Sequence, residues 1–172
     1  MSPGVYSMLE GHGASMDIER HNQDLRILQR EAPLARFGAE PPGWRRVEWR
    51  PTSHGGNMVL LEELVLPGVC SPRRADLRVE APPNLYDRAP SGEFYFYRNI
   101  WLSCPGLKVW DRRTRCWKPV PRLHAPSPGS RFAYLCIHPG LASRQANILD
   151  LLRVFDLHLL NPGLHATGEE TL

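Results

Sequence analysis

The feature that most constrains the fold is an apolar run near the C-terminus that ends at Leu160. Its apolar residues recur at helical spacing, with one stripe widened on both sides: Ile148, Leu152, Phe155 and Leu159, then Leu149, Leu151, Val154, Leu157 and Leu160. A helix that is apolar on most of its sides has to be buried against other elements. We therefore predict a core helix with Ser143 as its N-cap and a stop at Asn161-Pro162-Gly163.

Upstream segments supply the surfaces that would cover this helix. An amphipathic pattern over Asp17–Glu31 predicts an N-terminal helix. Four β-favouring segments follow, separated by turn residues: Trp44–Arg50, Met58–Leu66, Ala75–Glu80 and Phe94–Leu102. This order of elements predicts an α+β domain, a four-stranded antiparallel meander with the N-terminal helix and the C-terminal core helix packed on it.

The chain has 172 residues, enough for one domain with a substantial core. We expect a flexible N-terminus over 1–16, a single domain over 17–163 and a flexible tail over 164–172. Five prolines interrupt residues 104–131, which predicts a long loop with a short hairpin at Lys108–Lys118. Between Trp101 and Leu135 seven basic residues face one acid, Asp111. Such a loop is either a solvated surface or a contact face for an acidic protein or nucleic acid.

Composition narrows the class of protein. No apolar run approaches the roughly 20 residues of a membrane span, and Met1–Ser15 lacks the pattern of a signal peptide. We expect a cytoplasmic protein with reduced thiols and no membrane partner. The 19 arginines against two lysines suit a GC-rich bacterial genome. There is no Cys-x-x-Cys pair and no glycine-rich phosphate loop, so no metal or cofactor is expected.

The best candidate for chemistry is Cys136, at the end of the short apolar segment Phe132–Ile137. His138 follows two residues later, just ahead of the predicted helix, and an imidazole or a helix N-terminus favours the nucleophilic thiolate. His124, in the basic loop, is a second candidate for a histidine that assists Cys136. The alternative for Cys136 is a buried structural cysteine, as its apolar neighbours would suit.

Five segments, in order along the chain, resemble the ubiquitin-conjugating enzyme family, in particular its prokaryotic branch from bacterial ubiquitin-like conjugation operons. The segments are Leu28–Pro33 at the end of the first helix, Ala75–Tyr86 with Pro90, Phe94–Trp101, Leu135-Cys136-Ile137 and Leu159–Pro162. The resemblance spans about residues 17–163. One element departs from the family, because Leu102-Ser103-Cys104 stands where His-Pro-Asn is usual.

The resemblance implies that Cys136 accepts a ubiquitin-like protein as a thioester from an activating enzyme and passes it to an amine. His138 and His124 would then stand in for the missing His-Pro-Asn element. Partners implied by the likeness are a ubiquitin-like modifier, an activating enzyme and a metalloprotease encoded nearby, in antiphage defence. A non-catalytic scaffold of the same fold, binding through the arginine-rich loop, is the alternative. Nucleic-acid binding through that loop, with Trp110 and Trp117, comes third.

Overall fold

The computed structural model describes residues 22–30, 38–39, 43–51, 57–81, 99–137 and 147–161. The predicted flexible ends, 1–16 and 164–172, lie outside these residues, as do His138 and Ser143. Eight strands are present in the described chain: β1 Arg46–Pro51, β2 Asn57–Val65, β3 Cys70–Ser71, β4 Arg74–Ala81, β5 Asn99–Leu102, β6 Lys108–Asp111, β7 Cys116–Pro119 and β8 Ala133–Leu135. Helix α1 covers 22–30 and helix α2 covers Ile148–Leu160.

The larger sheet has five strands in the order β1-β2-β4-β5-β8, and every neighbouring pair is antiparallel. The α+β class with antiparallel strands and a helix near each end is therefore confirmed. The predicted meander had four strands, and the sheet has a fifth, β8. It arises because the apolar segment around Cys136 pairs with β5, with Leu135 opposite Ile100 and Ala133 opposite Leu102.

A second, three-stranded sheet has the order β3-β6-β7. Two of its strands, β6 and β7, lie within the predicted basic loop at 104–131 and form the expected hairpin, and β3 from residues 70–71 pairs with β6. β3 was not predicted, since two residues are too few to show an alternating pattern. The buried side chains of Leu107, Val109 and Val120 fix the base of the hairpin to the core. The stretch at 104–131 is thus a short hairpin, as predicted, flanked by turns and irregular chain.

Helix α2 lies against one face of the five-stranded sheet. Ile148, Leu151, Leu152, Phe155 and Leu159 are buried and share one core with Leu28 of α1 and with inward-facing residues of the strands. The helix begins later than predicted, because Asn147 rather than Ser143 is its N-cap. The Asn147 side chain accepts from the Leu149 N–H at 2.9 Å, and Asp150 accepts from the Asn147 N–H at 2.8 Å.

The two helices are joined by a hydrogen bond at the start of α2. Asp24 of α1 is fully buried, and its Oδ1 accepts from the Ile148 backbone N–H at 3.2 Å. A carboxylate at this position satisfies a backbone donor that the helix itself leaves unpaired, and it suits the positive end of the helix dipole. Neither described helix has both the length and the apolar character that crossing a membrane requires.

Candidate functional site: Cys136 at the edge of the larger sheet

Cys136 directly follows β8 and continues its alternation. Leu135 and Ile137 are buried in the core, whereas Cys136 between them is partly exposed. The Ile137 N–H donates to the Leu135 carbonyl at 3.1 Å, which makes a tight three-residue turn centred on Cys136. The turn ends the strand and holds the thiol on the face of the sheet that α2 does not cover. Cys136 is therefore not the fully buried structural cysteine that the sequence left as an alternative.

A short segment, 122–124, runs alongside β8 and extends the sheet at its edge. The Cys136 N–H donates to the Arg122 carbonyl at 3.0 Å, and the His124 N–H donates to the Tyr134 carbonyl at 2.8 Å. Leu123 and Leu135 form an antiparallel bridge between these two bonds. The backbone of Cys136 is therefore held by pairing and not left in an open loop.

Arg122 adopts a left-handed backbone with φ 60°, which is uncommon for a residue that has a Cβ. Such a conformation costs on the order of 1–3 kcal/mol and persists where neighbouring contacts enforce it. Two hydrogen bonds enforce it here: the Arg122 carbonyl accepts from the Cys136 backbone N–H, and the preceding Pro121 carbonyl accepts from the Nε2–H of His158 at 3.1 Å. His158 is buried in the last turn of α2. Strained backbone of this kind is concentrated at functional sites.

Tyr134 lies between two rings on the same outer face. Its ring stacks on His124, with centroids 5.8 Å apart and an interplanar angle of 23°, and meets Trp101 at 5.0 Å and 54°. Burial and, second, the negative charge of the nearby Cys136 thiolate raise the pKa of Tyr134. A tyrosine hydroxyl is neutral at physiological pH even without this shift, so Tyr134 is able to donate a hydrogen bond.

The structure brings two of the three predicted residues to one face. Cys136 and His124 both neighbour Tyr134, and they occupy diagonal positions across the pair of strands, a separation of about 7–8 Å between backbones. The third predicted residue, His138, lies outside the described residues. His124 is exposed, so substrate or solvent can reach it.

Sequence reasoning missed three residues of this group: Tyr134, Trp101 and Arg122. Tyr134 stands two residues before Cys136, so strand alternation alone puts both on one face, and that signal was available. Trp101 and Arg122 are brought near only by pairing between distant segments. Beyond Trp101, the Arg78 guanidinium lies 4.7 Å from the Trp101 ring centroid and fixes that side of the ring.

The other cysteines lie apart from this group. Cys70 is buried, Cys104 is partly buried, and Cys116 is exposed in the second sheet, where its Sγ lies 3.2 Å from the Thr114 hydroxyl. All four are free thiols. In the described part of the chain, no group of three or more His, Cys, Asp or Glu side chains is arranged to hold a metal ion.

Comparison with known proteins finds no match. No protein-family model, no curated protein and no solved structure matches this chain.

Proposed function

We propose that this chain carries a ubiquitin-like protein as a thioester on Cys136 and transfers it to an amine. The observation that carries the proposal is the partly exposed Cys136 thiol, held by backbone pairing beside Tyr134 on the outer face of the larger sheet. The resemblance to ubiquitin-conjugating enzymes supplies the class of reaction, and the α+β fold is compatible with it.

The reaction has two acyl-transfer steps. The Cys136 thiolate attacks the carbonyl carbon of an incoming thioester, a new C–S bond forms, and the thiolate of the activating enzyme leaves. An amine then attacks the same carbon, loses a proton, and displaces the Cys136 thiolate to leave an amide. Each step passes through a tetrahedral oxyanion, so hydrogen-bond donors aimed at that oxygen accelerate it.

The neighbours of Cys136 offer such groups on the same face. The Tyr134 hydroxyl is protonated at neutral pH, as a tyrosine ordinarily is, and it is a hydrogen-bond donor close to Cys136. His124 is exposed beside it and suits proton transfer to or from the incoming amine. In this proposal these two residues replace the His-Pro-Asn element that the chain lacks. His138 keeps its proposed role as a second imidazole.

The partners belong to the proposal as well. The chain would receive its acyl group from an activating enzyme and carry a ubiquitin-like modifier in the cytoplasm, with a metalloprotease as a further component of the same bacterial antiphage system. Neither a cofactor nor a metal is needed for thioester exchange, since the thiolate is the nucleophile and the leaving group.

Direct acylation tests the proposal without knowing the modifier. The probe is a fluorescein-labelled peptide that ends in Gly-Gly as a mercaptoethanesulfonate thioester, incubated with the full chain at neutral pH. We expect an adduct on Cys136, cleaved by added thiol, to form at least about tenfold faster than any adduct on Cys116. Mass spectrometry locates the adduct.

Cys116 is the matched control because it is the more exposed of the two thiols. Cys116→Ala should leave acylation intact, and Cys136→Ala should abolish it, whereas Cys136→Ser should leave an ester that resists thiols. If the peptide accumulates on Cys116 and spares Cys136, acyl transfer is wrong and the non-catalytic scaffold takes its place.

A further inference from the structure

The turn between β6 and β7 carries three arginines whose positive charge no described carboxylate offsets. We define the arginine hairpin as β6, the turn 112–115 and β7. Arg112, Arg113 and Arg115 are exposed in the turn. None of the three forms an ion pair within the described part of the chain. By contrast, Arg46, Arg50 and Arg78 of the larger sheet pair with Glu48 and Glu80.

The single acid of the hairpin is already engaged inside it. Asp111 accepts from Lys118 at 2.5 Å, from the Thr114 hydroxyl at 2.8 Å and from the Arg113 backbone N–H at 2.9 Å. The Lys118 ammonium and the Thr114 hydroxyl hold the pKa of Asp111 well below its usual range. The carboxylate therefore fixes the turn instead of neutralising the arginine guanidinium groups.

An aromatic surface adjoins the charged turn. Trp117 is 46% exposed, a large apolar area for a side chain on a short strand, and Trp110 supports it edge-on at a centroid distance of 5.5 Å. The pair is anchored through the backbone N–H of Trp110, which donates to the Val69 backbone carbonyl at 2.7 Å. Tryptophan and arginine are the residues that most often dominate binding energy at protein interfaces.

We propose that the arginine hairpin is a docking surface for an acidic segment of a protein partner. Carboxylates of that segment would pair with Arg112, Arg113 and Arg115, and an apolar side chain would cover Trp117. This surface is separate from Cys136 and does not depend on acyl transfer. Charge complementarity sets the class of partner, because guanidinium groups match carboxylates in two-point hydrogen bonds.

Two observations favour an acidic protein over nucleic acid. The whole chain has a net charge of +3 and a pI near 8.8. Nucleic-acid-binding domains typically have a pI above about 9. Proteins that bind single-stranded nucleic acid also present several exposed aromatic rings on which successive bases stack. Among residues 108–119, which the structure describes in full, Trp117 alone is a large exposed apolar side chain.

The test measures fluorescence anisotropy of a short labelled peptide of Glu and Asp with one central Leu. The hairpin variant combines Arg112→Glu, Arg113→Glu and Arg115→Glu. The matched control combines Arg26→Glu, Arg50→Glu and Arg153→Glu, on α1, β1 and α2. Each reversal lowers the net charge by two, so both variants go from +3 to −3. We expect the hairpin variant to bind at least about tenfold more weakly than the control variant.

Two further arms make the result decisive. Replacing the peptide Leu by Ser should weaken binding several-fold to the unaltered chain but not to Trp117→Ser, since the apolar contact is then already gone. Equal losses in the two charge variants would overturn the proposal, because only net charge would matter. Tighter binding of a labelled oligothymidylate, lost in the hairpin variant, would also overturn it and assign the surface to nucleic acid.

Discussion

The five-stranded sheet and the arginine hairpin are both antiparallel and rich in arginine, but they are stabilised in different ways. In the larger sheet, apolar residues of one face meet α2, and arginines of the strands pair with glutamates. In the hairpin, only the base reaches the core, and the turn is held by polar bonds to Asp111. The larger sheet therefore stabilises the fold, and the hairpin presents charge at the surface.

The largest loss of stability is expected when a buried side chain of the core is removed. Phe155 is fully buried between α2 and the sheet, so Phe155→Ala should lower the free energy of unfolding by about 3–5 kcal/mol. Urea unfolding followed by circular dichroism measures the loss. Trp117→Ala on the hairpin is the contrast and should cost no more than about 1.5 kcal/mol. Equal losses would show that the hairpin is part of the stabilising core.

A second, smaller effect concerns the start of α2. Asn147→Ala removes the acceptor for the Leu149 N–H and should cost about 1 kcal/mol. Asn147→Ser keeps a side-chain oxygen at the N-cap and should lose much less. The same urea unfolding gives both values. If serine is as damaging as alanine, the capping bond does not stabilise the helix.

The smallest expected effect is confined to the hairpin and depends on pH. Because its partners depress the folded-state pKa of Asp111, its contribution is complete above the unfolded pKa of about 3.9 and is lost as pH falls through the lower folded value. We expect the Trp117 indole N–H resonance to hold steady on acidification until well below pH 3.9. Below that pH the resonance should shift as Asp111 is protonated. In Asp111→Asn, which has no carboxyl group at this position, that shift should be absent. A transition near pH 3.9 in the unaltered chain would contradict the depressed pKa.

Much of the fold could be predicted because local patterns carry it. The apolar stripe of α2 and the strands at Trp44–Arg50, Met58–Leu66 and Ala75–Glu80 agree with the structure to within one or two residues. The pairing of β8 with β5 was missed, because a three-residue strand has no period to read. The N-cap was misplaced because Ser143 and Asn147 are both good capping residues, and sequence does not rank them.

The candidate site was only half accessible to such reasoning. Cys136 stands out by its place after an apolar segment, and its partly exposed position agrees with a usable thiol. The stacking of His124 on Tyr134 depends on segment 122–124 returning to the sheet edge, which is a long-range pairing. The left-handed backbone of Arg122 leaves no mark in the sequence, because arginine rarely adopts it.

The bond between Asp24 and Ile148 has a consequence for how the protein is made. The two residues are separated by 124 positions, so α1 is synthesised long before its partner leaves the ribosome. Until α2 emerges, the part of the apolar face that α2 covers stays exposed, and nascent chains with such a face are prone to aggregate. Folding of this domain can therefore be completed only after α2 has been synthesised.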